Sequence, residues 1–159
     1  MRAQNILAVL LAGAGSLTVL PMQAATTTGT IAVSATVVAT CVVGSGAIAF
    51  GNYAGSELSG STTLAITCTN GTGYSVLIDA GSSGGDTTTR LMAGPGTDKL
   101  QYKVWQDASH TVNWNDTDSV VAGTGNGLVQ TINVYATVPS SQTIEAGAYT
   151  DTLTVTVSY

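Results

Sequence analysis

Charge is scarce in this sequence: Lys and Arg together number 4, Asp and Glu 9, and charged residues make up only 8% of 159 positions. Such a chain is a poor partner for nucleic acid, whose phosphates are gripped by clustered Lys and Arg. The strong helix formers Glu, Lys and Arg are nearly missing, and no segment carries an apolar stripe of helical period, so a helical fold is excluded. One His and two Cys, without C-x-x-C spacing, speak against a metal site. Thr, Gly, Ser and Val are abundant instead, a composition suited to strands joined by tight turns.

The opening MRAQNILAVLLAGAGSLTVLPMQAA sets one Arg ahead of a long apolar run, followed by Pro21 and small residues around Ala24 and Ala25. It reads as a secretory signal over residues 1–24, cleaved after Ala24. The apolar run from Ile6 to Leu20 is shorter than the roughly 20 residues of a membrane span, so no membrane insertion is expected once the signal is removed. The mature chain from Ala25 to Tyr159 has the size of one domain, with only Arg90, Lys99 and Lys103 as cations. Export leads to an oxidising compartment, where Cys41 and Cys68 read by default as one disulfide and a metal site as the weaker rival. Closing that loop would stabilise the fold by roughly 3 to 4 kcal/mol.

Period-two alternation recurs from the mature N-terminus to the last residue, the pattern of half-buried antiparallel strands. It predicts strands over Thr30–Val43, Leu64–Thr69, Tyr74–Asp79, Leu100–Trp105, Leu128–Thr137 and Thr150–Tyr159, with a shorter one near Ile48. Gly-rich turns separate them at Gly71–Gly73, Gly81–Asp86, Ala93–Gly96, Gly123–Gly127 and Glu145–Gly147. About seven short strands at this spacing point to an all-β, immunoglobulin-like sandwich.

Both ends of the chain carry apolar stripes. Leu153, Val155, Val157 and Tyr159 face one way from the final predicted strand, and no residue follows to form another. Near the start, Ile31, Val33, Ala35 and Val37 alternate with small polar or Ala positions before Cys41, a stripe longer than one sandwich strand requires. A sandwich lacking its last strand exposes an apolar groove and unpaired backbone, which an extended segment from another molecule can repair by strand addition.

The pieces TGTIAVSATVVATCVV, IAFGNY, AITCTNGTGYSVLIDAG, LQYKVWQDASHTVNW and the closing GAYTDTLTVTVSY, in this order and around these two Cys, resemble the spore coat protein U domain family. That family includes major subunits of archaic chaperone-usher pili, and the likeness covers essentially the whole mature chain. It implies an incomplete immunoglobulin-like β-sandwich lacking its last strand and completed by donor-strand exchange. A periplasmic chaperone would hold the subunit until an outer-membrane usher replaces the chaperone strand with the N-terminal segment of the next subunit. On this chain the resemblance makes residues 25–34 the donor segment and 35–159 the pilin domain. Ile31, Val33, Ala35 and Val37 are then donor residues and Cys41–Cys68 the family's disulfide. Leu153, Val155, Val157 and Tyr159 would line the acceptor groove and meet the chaperone, with the Tyr159 carboxylate offered to basic chaperone residues. The implied function is a homopolymeric, extracellular pilus subunit serving adhesion and biofilm formation, with no enzymatic activity and no cofactor. The alternatives are a minor or tip carbohydrate-binding subunit, or a secreted spore or cell coat protein.

Other motifs read more blandly. Gly81-Ser82-Ser83-Gly84-Gly85 matches G-x-S-x-G, with Asp98, Asp107 and His110 downstream, yet that nucleophile turn needs a strand-turn-helix context that this helix-poor chain lacks. A glycine-rich hairpin loop is expected there, and a solvated loop His at His110. Asp116 and Asp118 lack the twelve-residue calcium loop and read as a turn. Trp105, Trp114, Tyr102 and Tyr135 raise a sugar-stacking face, against which core packing and cross-strand pairing are the usual reasons for ring side chains on strands.

Overall fold

Backbone N–H and C=O groups must find partners, so a stretch with strand periodicity becomes a strand only where a neighbouring edge receives it. In the computed structural model, which describes residues 23–115 and 120–159, the alternating segments sort by this criterion. Residues 1–22 of the expected signal, and Asp116 and Asp118, lie outside the described residues. The chain divides into two units, Met1–Ala35 and Thr36–Tyr159. In the first, residues 23–35 form no strand and are exposed.

The second unit is all β among the described residues. Its strands are β1 (Cys41–Val43), β2 (Leu58–Cys68), β3 (Gly73–Ile78), β4 (Arg90–Ala93), β5 (Lys99–Trp105), β6 (Val121–Thr124), β7 (Val129–Val138) and β8 (Val155–Ser158). Five form one sheet in the order β1-β2-β7-β5-β4, and three form a second in the order β6-β3-β8. Every pairing is antiparallel. The inward residues of both sheets meet in one core: Leu64, Ile66 and Cys68 of β2, Val76 and Ile78 of β3, Leu100 and Val104 of β5, and Val134 and Ala136 of β7. This is a β-sandwich of immunoglobulin-like type, and it is incomplete because β8 has a neighbour on one side only.

Several strand expectations are corrected. The strand predicted over Thr30–Val43 is reduced to Cys41–Val43: ahead of it only Thr40 and Val38 reach Thr69, just past the end of β2, and residues 30–37 form no strand despite their alternation. No strand forms at Ile48; Gly44 N–H still reaches Ala65 (2.8 Å), and there the regular pairing with β2 ends. The last strand begins at Val155 rather than Thr150, since Thr150 bonds across to Ala93 of β4 in the other sheet. In contrast, β2 begins at Leu58 because Leu58–Thr67 pair with β7, and β4 and β6 were not anticipated.

The Cys41–Cys68 disulfide joins β1 to β2, where the two residues are directly opposed. The core also holds a cation. Arg90 is fully buried at the start of β4, and its guanidinium donates to the carbonyls of Ile78, Asp79, Thr87 and Trp114 at 2.7 to 3.0 Å. Four ionic hydrogen bonds offset the cost of desolvating that charge and tie the end of β3 and the β3–β4 loop to the β5–β6 loop.

Candidate functional site

The segment that enters β8 crosses between the sheets. Thr150 is bonded to Ala93 in both directions (2.8 and 2.9 Å), and the carbonyls of Thr152 and Thr154 then accept from Ser82 and Asp79 (3.0 and 3.1 Å) before β8 pairs with β3. In an antiparallel strand, alternate residues direct their backbone groups to opposite edges. With Thr152, Thr154, Thr156 and Ser158 spent toward β3 and its following loop, the N–H and C=O of Asp151, Leu153, Val155 and Val157 face the open edge. Beyond Gly44, residues 45–53 likewise make no backbone-to-backbone hydrogen bond with a described residue.

Between these two edges runs an apolar groove. Its first chamber, about 600 Å³, has Val43, Leu153 and Val155 at its sides and Leu64, Ile78 and Ala136 on its floor. A second chamber, about 620 Å³, is lined by Leu58, Leu100, Val138 and Ile144. Ile48, Phe50, Met92 and Tyr149 belong to both, so the chambers form one trough from Val43 and Val155 at one end to Tyr53 and Ile144 at the other. A trough of this length fits an extended peptide, with apolar side chains at alternate positions pointing down.

The wall carrying Leu153 is pinned by two carboxylates. Asp79 accepts from Gly81 N–H and from Thr154 N–H (3.0 and 2.8 Å). Asp151 accepts from Ser82 N–H, Ser82 hydroxyl and Ser83 N–H through Oδ1 (2.9 to 3.1 Å), and from the Tyr102 hydroxyl through Oδ2 (2.6 Å). Burial by itself pushes the Asp151 carboxyl up, but the hydrogen bonds from Tyr102, the backbone, Ser83 and Ser82 outweigh it and hold the group below its ordinary value. The Tyr102 phenol is pushed well above its usual range, by burial first and then by its bond to Asp151. Gly81, at φ 89°, is required here: a Cβ would run into the Asp151 carboxylate.

The G-x-S-x-G stretch is therefore a loop latched to the groove wall. Ser83 hydroxyl donates to the Thr150 carbonyl (3.3 Å), while His110 lies against the rings of Trp105 and Tyr135 (6.0 and 6.5 Å). Asp107 caps Thr111 and Val112 within its own turn, and Asp98 accepts from the distant Glu145 N–H (2.6 Å), tying two loops together. The four aromatics do not share a face. Trp114 and Tyr102 are buried in the core, whereas Trp105 and Tyr135 pair across β5 and β7, with Trp105 Nε1–H donating to Thr137.

Of the residues expected at the groove, Leu153 and Val155 line it. Val157 lies next in the same inward row, opposite Val76 and packed on the core, and Tyr159 is 61% exposed past the end of β8. Ile31, Val33 and Val37 are exposed at 91%, 89% and 82%, and Ala35 is exposed with them. Sequence reasoning missed the opposite wall, from Val43 to Tyr53, and the role of Arg90.

Residues 27–156 match the model of the Spore Coat Protein U domain. The chain is 30% identical over 158 residues to Protein U of Myxococcus xanthus, covering 87% of this chain and 88% of the other. Its fold is similar to a chain of the crystal structure titled as the CsuC-CsuE chaperone-tip adhesion subunit pre-assembly complex from the archaic chaperone-usher Csu pili of Acinetobacter baumannii. There the TM-score is 0.57 at 26% identity over 78% of this chain, and this chain spans 40% of that one.

Proposed function

The chain belongs to the Spore Coat Protein U domain family, and from that membership we propose that it is a structural subunit that polymerises by donor-strand complementation, as an extracellular chaperone-usher pilus. The observation that carries this reading is the open edge of β8 beside an apolar trough, in a chain that also carries an exposed apolar stripe at Ile31, Val33, Ala35 and Val37. The donor segment of one copy enters the trough of the next, its backbone bonding to Asp151, Leu153, Val155 and Val157 and its apolar side chains filling the two chambers. Residues 25–34 form the donor arm and 35–159 the acceptor domain. The signal at residues 1–24 delivers the chain to the periplasm. A chaperone strand occupies the groove there, and an outer-membrane usher exchanges it for the next subunit. The resulting fibre serves adhesion and biofilm formation. Burying four apolar side chains contributes roughly 6 to 12 kcal/mol before the cost of ordering the arm.

Deleting Thr26–Val33 tests the reading. The truncated chain is expected to fold, to accept a donor peptide and to form no fibre; a truncated chain that still assembles fibres excludes residues 26–33 as the donor. A second reading, a coat protein of dormant cells, is favoured by the spore coat description of the family and uses the same strand chemistry. Immunogold labelling separates the two, since fibres projecting from growing cells and a layer on dormant cells are different images.

A further inference from the structure

The few cations of the mature chain are segregated. Arg90, Lys99 and Lys103 all belong to the five-stranded sheet, and no Asp or Glu occurs in any of its strands. Arg90 is buried and spent on four carbonyls. The two lysines point the other way, because inward Leu100, Tyr102 and Val104 alternate along β5 with outward Lys99, Gln101, Lys103 and Trp105. Glu57, Asp98, Asp107 and Glu145 lie in loops beyond the strand ends, and the carboxylates of Asp98 and Asp107 are engaged by the N–H groups of Glu145, Thr111 and Val112. A chain of net charge −5 thus presents one cationic sheet face.

The same face carries an aromatic cluster. Trp105 and Tyr135 are directly opposed across β5 and β7, the Lys103 ammonium lies 5.8 Å from the Trp105 ring centre, and the His110 ring contacts both aromatics. All four side chains are half-buried, so each keeps part of its surface open. Local bonding holds the cluster in place. Trp105 Nε1–H donates to the Thr137 hydroxyl (2.9 Å), and the turn after β5 is closed by Gln106 N–H on the Val112 carbonyl (2.9 Å). That turn sets His110 in the left-handed region (φ 55°), a conformation that persists for a non-glycine residue where its surroundings impose it. Exposed hydroxyls continue the face on β2, with Ser61 opposite Tyr135, Ser59 opposite Thr137 and Thr63 opposite Asn133.

We propose that this face binds an acidic polysaccharide, with sugar carboxylates on Lys99 and Lys103 and the C–H face of a pyranose ring against the Trp105, Tyr135 and His110 cluster. Rings beside hydroxyls suit a sugar, which is apolar on its ring faces and polar at its rim. The two ammonium groups, with no carboxylate on the strands between them, select a negative one. Lys99 and Lys103 are four residues apart, about 14 Å along the strand, a span that a polymer bridges and a single sugar does not. Two cations are too few to grip nucleic acid. The site stands apart from the donor-strand reading, because the trough is lined by the inward residues of these strands, Leu64, Leu100, Val134 and Ala136, and the proposed site by their outward ones.

The test titrates polygalacturonate, and its fully methyl-esterified form, into the mature chain and follows intrinsic fluorescence. Of the two tryptophans Trp114 is fully buried, so a change on binding reports Trp105. The expected result is saturable binding of polygalacturonate with a change in Trp105 emission, weakened by added salt and several-fold weaker for the uncharged ester. The K99Q/K103Q variant should bind about three- to tenfold more weakly at an unchanged urea midpoint, and K99R/K103R should bind as the parent does. No saturable binding of polygalacturonate, or equal binding of the acid and its ester, overturns the proposal without recourse to any variant. Equal binding by the parent and K99Q/K103Q overturns it as well. Single-stranded DNA bound as tightly as polygalacturonate assigns the face to polyanions at large and overturns the sugar reading.

Discussion

The donor reading has a consequence that is measurable with peptides. Ile31 and Val33 are 91% and 89% exposed, so entering the trough removes almost their whole side chains from water. Each contributes roughly 1.5 to 3 kcal/mol by that transfer. Truncating either to Ala loses most of it and leaves a void in a chamber shaped by Leu64, Ile78 and Val155, for about 2 kcal/mol per site. Two sites give about 4 kcal/mol, on the order of a thousandfold in dissociation constant. The assay titrates a chain lacking residues 26–35 into a labelled peptide of residues 26–39 and follows fluorescence anisotropy. The peptide with Ile31→Ala and Val33→Ala should bind about a thousandfold more weakly than the parent, and one with Ser34→Ala, which changes the opposite face, should bind within about twofold. Equal binding by the double-alanine and parent peptides would refute the reasoning, because the stripe would then not be what the trough recognises.

Further outcomes follow from the walls and the core. Asp151→Asn removes the charge that four donors share, and should destabilise the domain by about 1 to 3 kcal/mol in urea melts, with a larger loss of donor-peptide affinity than Asp107→Asn causes. Asp86 and Asp107 are held below the ordinary carboxylate value by hydrogen bonds led by Thr88 and Val112, and Asp151 by bonds that outweigh its burial. Folded carboxyls of lowered pKa contribute stability that is complete above the unfolded value of about 3.9 and is lost as pH falls through the folded values. Melting temperature should therefore be level above about pH 5 and decline below about pH 4, less steeply in Asp151→Asn; a profile flat down to pH 2 would contradict the sign. Arg90→Met leaves four buried carbonyls without their donor and should cost at least about 3 kcal/mol, read as a fall in the urea midpoint at unchanged slope.

How much of this was legible in the sequence depends on whether a feature is local. Alternation located β2, β3, β5 and β7, because each turns one face to the shared core and the other outward, which writes the period into the strand itself. The same alternation runs through Ile31–Val37, where no strand forms, since periodicity reports a capacity to pair and not the presence of a partner. β4 and β6 are four residues each, too short to display a period. Of the groove, the Leu153 and Val155 wall was readable as an inward stripe. The Val43–Tyr53 wall was not, because Gly44, Gly46 and Gly51 break its pattern, while Gly44 and Gly46 lie close against β2. Gly46, for instance, has no room for a Cβ beside Thr62. Arg90 was hidden for a different reason: its four acceptors are backbone carbonyls, which no residue identity reveals.

On the donor-strand reading, the arm must fill a neighbour's groove and not its own. Ahead of Cys41, the strand line continues past the end of β2: Thr69 N–H donates to the Thr40 carbonyl (2.9 Å), Thr40 N–H to the Thr69 hydroxyl (3.2 Å), and that hydroxyl also contacts the Val38 carbonyl. The groove lies the other way, from Val43 toward Tyr53. Self-insertion would require the chain to reverse between Val38 and Val43, breaking the Thr40–Thr69 bonds and straining the Cys41–Cys68 link beside them. The reversed segment would run antiparallel to residues 43–53 and hence parallel to the approach to β8, since the two walls themselves run in opposite directions along the trough. A neighbour's arm carries neither constraint and can lie antiparallel to β8, completing the sheet with the more stable ladder. On the donor-strand reading, the Thr40–Thr69 bonds and the disulfide thus oppose self-insertion, and strand addition from a second copy would cover the open edge.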